Sequence, residues 1–122
     1  MKLTNNKILE YANSLATIKN SQIKLPVRVN FFLQKNIRTI LDAATYIEEN
    51  RINIGRNYGE LNEMQNSYII PPESMVAANA ELNELFSIEQ DLEITMIPLS
   101  TFDEVELTME EMDAIMFMVE ED

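Results

Sequence analysis

The chain has 122 residues, the size of one ordinary domain, and 46% of them are hydrophobic, enough for a single core despite a net charge of −12. It contains neither Cys nor His, which excludes a disulfide framework, thiolate or imidazole metal sites, and catalysis by the strongest nucleophile or the usual general base. No apolar run approaches the roughly 18 to 20 residues that span a bilayer, and residues 1–6 carry no apolar leader core, so a cytoplasmic protein is expected.

The first periodic stretch runs from Asn5 to Ser21, where Ile8, Ala12, Leu15 and either Ile18 or Lys19 recur every three or four residues along one helical face. Thr4 is placed to cap it. Pro26 breaks the pattern and is suited to open the next helix. That second helix is the clearest local feature: Leu33, Ile37, Ile40, Ala44, Ile47, Arg51, Ile54 and Tyr58 alternate spacings of four and three. From Pro26 to Tyr58 it would be roughly 50 Å long. Gly59 is its expected stop, and Gly55 weakens the last turns by about 1 kcal/mol relative to Ala.

A polar stretch, 60–66, leads to Ser67–Ile70, a short β-branched run that reads as a strand. Pro71 and Pro72 close it and open a helix carrying Met75, Ala78, Leu82 and Leu85. Leu92–Pro98 alternates apolar and polar residues and is expected to be a second strand, pairing with Tyr68–Ile70. Thr108 and Glu111 have the spacing of a capping box, and Glu110 and Asp113 add favourable charge to the helix N-terminus, so a final helix is expected over Met109–Glu120. Its apolar residues Ile115–Val119 run around the helix, which implies burial on several sides or an adhesive face. The tail Glu120–Asp122 is expected to be solvated. The sequence thus predicts a single α+β domain over 1–122, mostly helical, with a long central helix packed between N- and C-terminal helices and a small two-stranded antiparallel sheet.

The heptad spacing of the second helix could serve a dimeric coiled coil, but with Ile37, Ala44, Arg51 and Tyr58 at the a positions, the flanks hold Leu41, Glu48 and Gly55 at e and Asn36, Ala43 and Asn50 at g. Opposite charges that would fix a two-stranded register are scarce there, and the broad apolar stripe fits a globular core. Arg51 within it is expected to pair with Glu48.

Charge is sorted along the chain. Residues 1–56 hold all nine Lys and Arg with four acids (Glu10, Asp42, Glu48, Glu49), about +5; 57–122 hold the remaining 17 of 21 acids and no base. Such a half either pairs with the basic one or presents an acidic surface that repels nucleic acid and membranes and attracts basic partners. Asp103, Glu104, Glu106, Glu110, Glu111 and Asp113 are the densest group and the candidate partner-binding residues. A folded array of carboxylates of this kind can imitate nucleic-acid phosphates; the plainer reading is a solvated acidic face. The group matches no EF-hand loop, and a chain with two glycines has no phosphate-cradling loop. No catalytic residue, metal ligand or cofactor is assigned.

Three segments, Lys24–Ile37 (KLPVRVNFFLQKNI), Asn57–Glu60 (NYGE) and Met112–Glu120 (MDAIMFMVE), make the chain resemble a group of small uncharacterised proteins encoded by phages and prophages of low-GC Gram-positive bacteria. That resemblance implies a phage origin and a non-enzymatic role in the host cell cytoplasm. The expectation is an inhibitor, monomeric or homodimeric, that binds a host protein such as a nucleic-acid-binding defence nuclease. The alternative is an accessory of virion assembly or of a tail or lysis module.

Overall fold

Thr4 ends a short strand, β1 (Lys2–Thr4), and its Oγ1 accepts the Lys7 N–H at 3.2 Å, so the predicted cap starts helix α1 (Asn5–Ile18). The structure, a computed structural model, describes residues 1–18, 25–62, 64 and 67–122. The expected last turn of α1, up to Ser21, lies outside the described residues. Helix α2 (Val27–Tyr58) has Pro26 at its N-cap with φ −53° and ψ 146°, and the Asn30 N–H bonds the Pro26 carbonyl at 2.9 Å. Its 32 residues span about 48 Å.

The remaining elements are β2 (Glu60–Asn62), β3 (Ser67–Ile69), α3 (Met75–Ser87), β4 (Glu89–Asp91), β5 (Ile97–Pro98), α4 (Met109–Ile115) and β6 (Val119–Glu120). Short 3-10 turns occupy Pro72–Ser74, Leu99–Phe102 and Met116–Met118. The architecture is α+β, mostly helical, around the long central helix.

The stripe on α2 divides where its cover ends. Leu33, Ile37, Ile40, Ala44 and Ile47 are buried against Ile8, Leu15 and Ile18 of α1 and against Ala114, Ile115 and Met118. Each large aliphatic side chain buried in this way contributes about 1.5–3 kcal/mol. Past Ile47 the core is left behind: Arg51 is exposed and its Nη2 lies 2.7 Å from Glu48 Oε2, as expected, while Ile54 and Tyr58 are half-buried. These last turns pack on α3 and β3 instead.

The strands correct the sequence reading in two places. Tyr68 pairs with Leu61 in an antiparallel β2–β3 hairpin, not with Leu92–Pro98. Of that second run only Ile97–Pro98 forms a strand, in parallel with Val119–Glu120, and a third pair, β1–β4, is antiparallel. The polar 60–66 stretch therefore holds the partner strand, because local hairpin closure wins over a distant partner. The last helix is also shorter than Met109–Glu120. It stops at Ile115, the Met116–Met118 turn delivers Met118 into the core, and Val119 enters β6. The tail is exposed but fastened, since the Asp122 carboxylate accepts hydrogen bonds from the Ser100 N–H and Oγ.

Gly59 ends α2, although by a different device from the one expected. Its φ of −112° is ordinary for any residue, but a Cβ there would lie 2.7 Å from the Gly55 carbonyl oxygen and 2.9 Å from that of Ile69. The β2–β3 hairpin closes against α2 because position 59 has no side chain.

Candidate functional site

The acidic group is organised by the cap of α4. Thr108 Oγ1 accepts the Glu111 N–H at 3.1 Å, and Glu111 Oε1 accepts the Thr108 N–H at 3.1 Å, the reciprocal pair the spacing predicts. Glu111 is half-buried and committed to this cap, which gives it a structural duty. Asp103, Glu104, Glu106, Glu110 and Asp113 are all exposed. Stacking of Tyr11 on Phe117, with ring centroids 4.2 Å apart and 10° between planes, anchors this end of the chain to α1. Met109, 83% exposed, stands beside these carboxylates, and Met116 is half exposed one turn beyond Asp113. The acidic face therefore has apolar points on a rigid base.

Among the described residues one ion pair joins the two halves, from the N-terminal ammonium of Met1 to Asp91 Oδ1 at 2.9 Å, and it holds the Asp91 carboxyl below its usual value; the Lys and Arg side chains make none across the halves. Lys7 pairs with Glu10 at 3.2 Å and Arg51 with Glu48, both within the first 56 residues. The Glu10 carboxylate, hydrogen-bonded to it, raises the Lys7 ammonium above its usual value. Arg56 donates to the Tyr68 hydroxyl at 3.2 Å and lies over its ring, and a hydrogen bond to Glu81 raises the Tyr58 hydroxyl above the ordinary tyrosine value. Among the described residues no three carboxylates converge on a point where a metal ion could sit.

A feature that the dominant stripe of α2 hides in the sequence is a second stripe beside it. Val27, Phe31, Gln34, Arg38 and Leu41 also follow spacings of four and three, and they line an open groove of about 900 Å³ together with Lys35 and the edge of Ile37. Val27 is 88% and Phe31 61% exposed. Asp42 stands at the far end of the groove. A smaller cavity of about 340 Å³ lies where Val29 and Phe32 of α2 face Met96 and Ile97, with Arg28 at its edge and over the Phe32 ring. Among the described residues it gathers no pair of titratable groups. Neither cavity juxtaposes the carboxylates that acid–base chemistry would need.

Two buried asparagines position these surfaces. Asn36 Nδ2 donates to the Thr95 carbonyl at 2.8 Å and its Oδ1 accepts the Thr95 N–H at 2.9 Å, so a side-chain amide takes the place of a neighbouring strand for the 92–96 segment. Asn5 Nδ2 donates to the Leu85 carbonyl near the end of α3 at 2.8 Å, and its Oδ1 accepts from Gln90 at 2.7 Å. No family model, curated protein or solved structure matches the chain. Among the described residues no helix is long and apolar enough to cross a membrane.

Proposed function

We propose that this chain is a non-enzymatic binding protein that engages a basic surface of a host protein through its acidic C-terminal half. One observation carries the reading: Asp103, Glu104, Glu106, Glu110 and Asp113 are all solvent-exposed on the part of the chain fixed by the Thr108–Glu111 cap. Charges held outward on a folded surface steer the encounter with a cationic groove and fix its register. A groove that ordinarily receives nucleic-acid phosphates is such a surface, so the role we assign is inhibition of a host nuclease or other nucleic-acid-processing factor in the host cytoplasm. The phage likeness of the sequence fits that role. In a pull-down from host lysate, the wild-type chain is expected to recover a nucleic-acid-binding protein, and a variant with all five carboxylates reversed to Lys is expected to lose it. Unchanged recovery by that variant sinks the proposal.

A second reading, an accessory of virion assembly, draws on the exposed apolar side chains Met64, Met75, Val76 and Ile69 around the β2–β3 hairpin and the start of α3. Mass spectrometry of purified particles separates the two, since an inhibitor is absent from them.

A further inference from the structure

We propose that the groove on α2 receives the acidic face of α4 from a second copy of this chain, so that copies associate head to tail. The groove offers two kinds of contact on one helix face. Val27, Phe31 and Leu41 are apolar points at helical spacing, and Lys35 and Arg38 flank them with positive charge that no ion pair among the described residues consumes; Asp42, at the far end, leaves the groove net positive by one charge. The α4 end of the molecule offers the converse: Met109 and Met116 are exposed apolar points with Asp113 between them at i, i+4 and i+7 spacing, and Glu110 is exposed beside Asp113 at i, i+3. The lengths agree. Val27 to Leu41 spans about 21 Å of helix, and Met109 to Met116 about 10 Å, so the shorter acidic ridge fits within the groove.

The net charge of −12 on each copy opposes association at long range, but exposed charges farther apart than about 8 Å are largely screened at physiological ionic strength. Lys35 and Arg38 against Glu110 and Asp113 then set the sign at the contact. Because the two surfaces are different patches, the contact is heterologous and leaves a free groove at one end and a free α4 at the other, which permits short chains of molecules. A copy seated on α4 also covers part of the acidic face assigned to a host partner, so self-association and partner binding compete.

The test is sedimentation velocity of the full chain over about a hundredfold range of concentration reaching the millimolar, where mass action favours association. The wild type is expected to sediment faster as concentration rises. Lys35→Glu with Arg38→Glu, and separately Glu110→Lys with Asp113→Lys, are each expected to weaken association about tenfold or more. An equal mixture of the two variants is expected to recover it, because the intact ridge of the first meets the intact groove of the second and the reversed groove meets the reversed ridge. A wild type that stays monomeric throughout, association that survives the α2 reversal, or a mixture that stays monomeric overturns the proposal. So does a monomer whose Lys35 and Arg38 bind a single-stranded oligonucleotide instead. Val27→Ser with Phe31→Ser, at exposed positions, gives an independent pair should a charge variant fail to fold by circular dichroism. The α2 variants leave all five exposed carboxylates intact, so they retain the host partner if that reading holds, and the two proposals fail separately.

Discussion

Asn36 holds the 92–96 segment to α2 by giving Thr95 both a donor and an acceptor from within the core, where it is only 1% exposed. Asn36→Leu keeps the branched shape and heavy-atom count but leaves the Thr95 N–H and carbonyl without these partners. A buried polar group stripped of its bond costs about 1–3 kcal/mol, so a loss of roughly 2–4 kcal/mol is expected in urea denaturation, with faster hydrogen exchange at the Thr95 amide. Substitution at the two glycines separates in sign. Gly59→Ala drives a methyl to 2.7 Å from the Gly55 carbonyl oxygen and 2.9 Å from the Ile69 carbonyl oxygen, both backbone atoms that cannot step aside cheaply. Overpacking of this kind costs about 1–3 kcal/mol. Gly55→Ala meets only Tyr68 Cβ at 3.5 Å, an ordinary contact, and gains up to about 1 kcal/mol of helix propensity. Thermal melts of the two variants are expected to move in opposite directions, and a shift of the same sign in both would contradict this assignment of their roles.

Helix α4 is only seven residues long, too short to persist without its ends, and it presents the acidic face. Thr108→Ala removes the acceptor of the Glu111 N–H and should cost about 1 kcal/mol. Its more telling signature is local: amides of α4 exchange faster while those of α2 are unchanged. Beyond α4, the hydrogen bonds from Ser100 hold the Asp122 carboxyl below the usual aspartate value. A carboxyl depressed in the folded state stabilises it above the unfolded value and releases that stability as pH falls through the folded one. Fastening of the tail is therefore expected to weaken only in acid below the ordinary aspartate range, seen as faster exchange of the Ser100 amide, and Asp122→Asn should remove that pH dependence. These local devices were the legible ones. The Thr4 cap, the Thr108–Glu111 box and the span of α2 follow from residues within one or two turns of each other. What stayed hidden was non-local: the parallel pairing of Ile97 with Val119 joins residues 22 apart, and Asn36 reaches Thr95 across 59 positions. An alternating run such as 92–98 promises a partner for its backbone without saying that a single amide will supply it. The candidate site was half legible on the same terms, since counting charges located the carboxylates, but only the fold separates Glu111, held in its cap, from the five that face water. The groove was missed because its stripe is interrupted by Gln34 and Arg38 and lies beside a stronger one.

At the scale of the molecule, the sorting of charge decides how stability responds to salt. The two ion pairs that Lys and Arg make between described residues, Lys7–Glu10 and Arg51–Glu48, are exposed and local, and such pairs contribute about 0–1 kcal/mol. Against them stands the second half of the chain with 17 acids and no base, of which Asp103, Glu104, Glu106, Glu110 and Asp113 crowd one exposed stretch. Folding compresses those carboxylates into less space than the unfolded chain gives them, and their mutual repulsion is a destabilising term that added ions screen. If the basic half instead neutralised the acidic one across the fold, salt would weaken an attraction and the melting temperature would fall. Among the described residues only the N-terminal ammonium, on Asp91, pairs across the halves, while the Lys and Arg pairs stay within the first, so the repulsive term is expected to dominate. Raising sodium chloride from low to moderate concentration is expected to stabilise the protein by about 1 kcal/mol, or roughly 4 °C in melting temperature for a domain of this size. Replacing Glu104, Glu106 and Asp113 with Gln or Asn is expected to raise the low-salt melting temperature and to flatten its dependence on salt. A melting temperature that drops as salt is added would mean that the halves hold each other electrostatically, and the acidic face would then be engaged within the molecule and not offered to a partner.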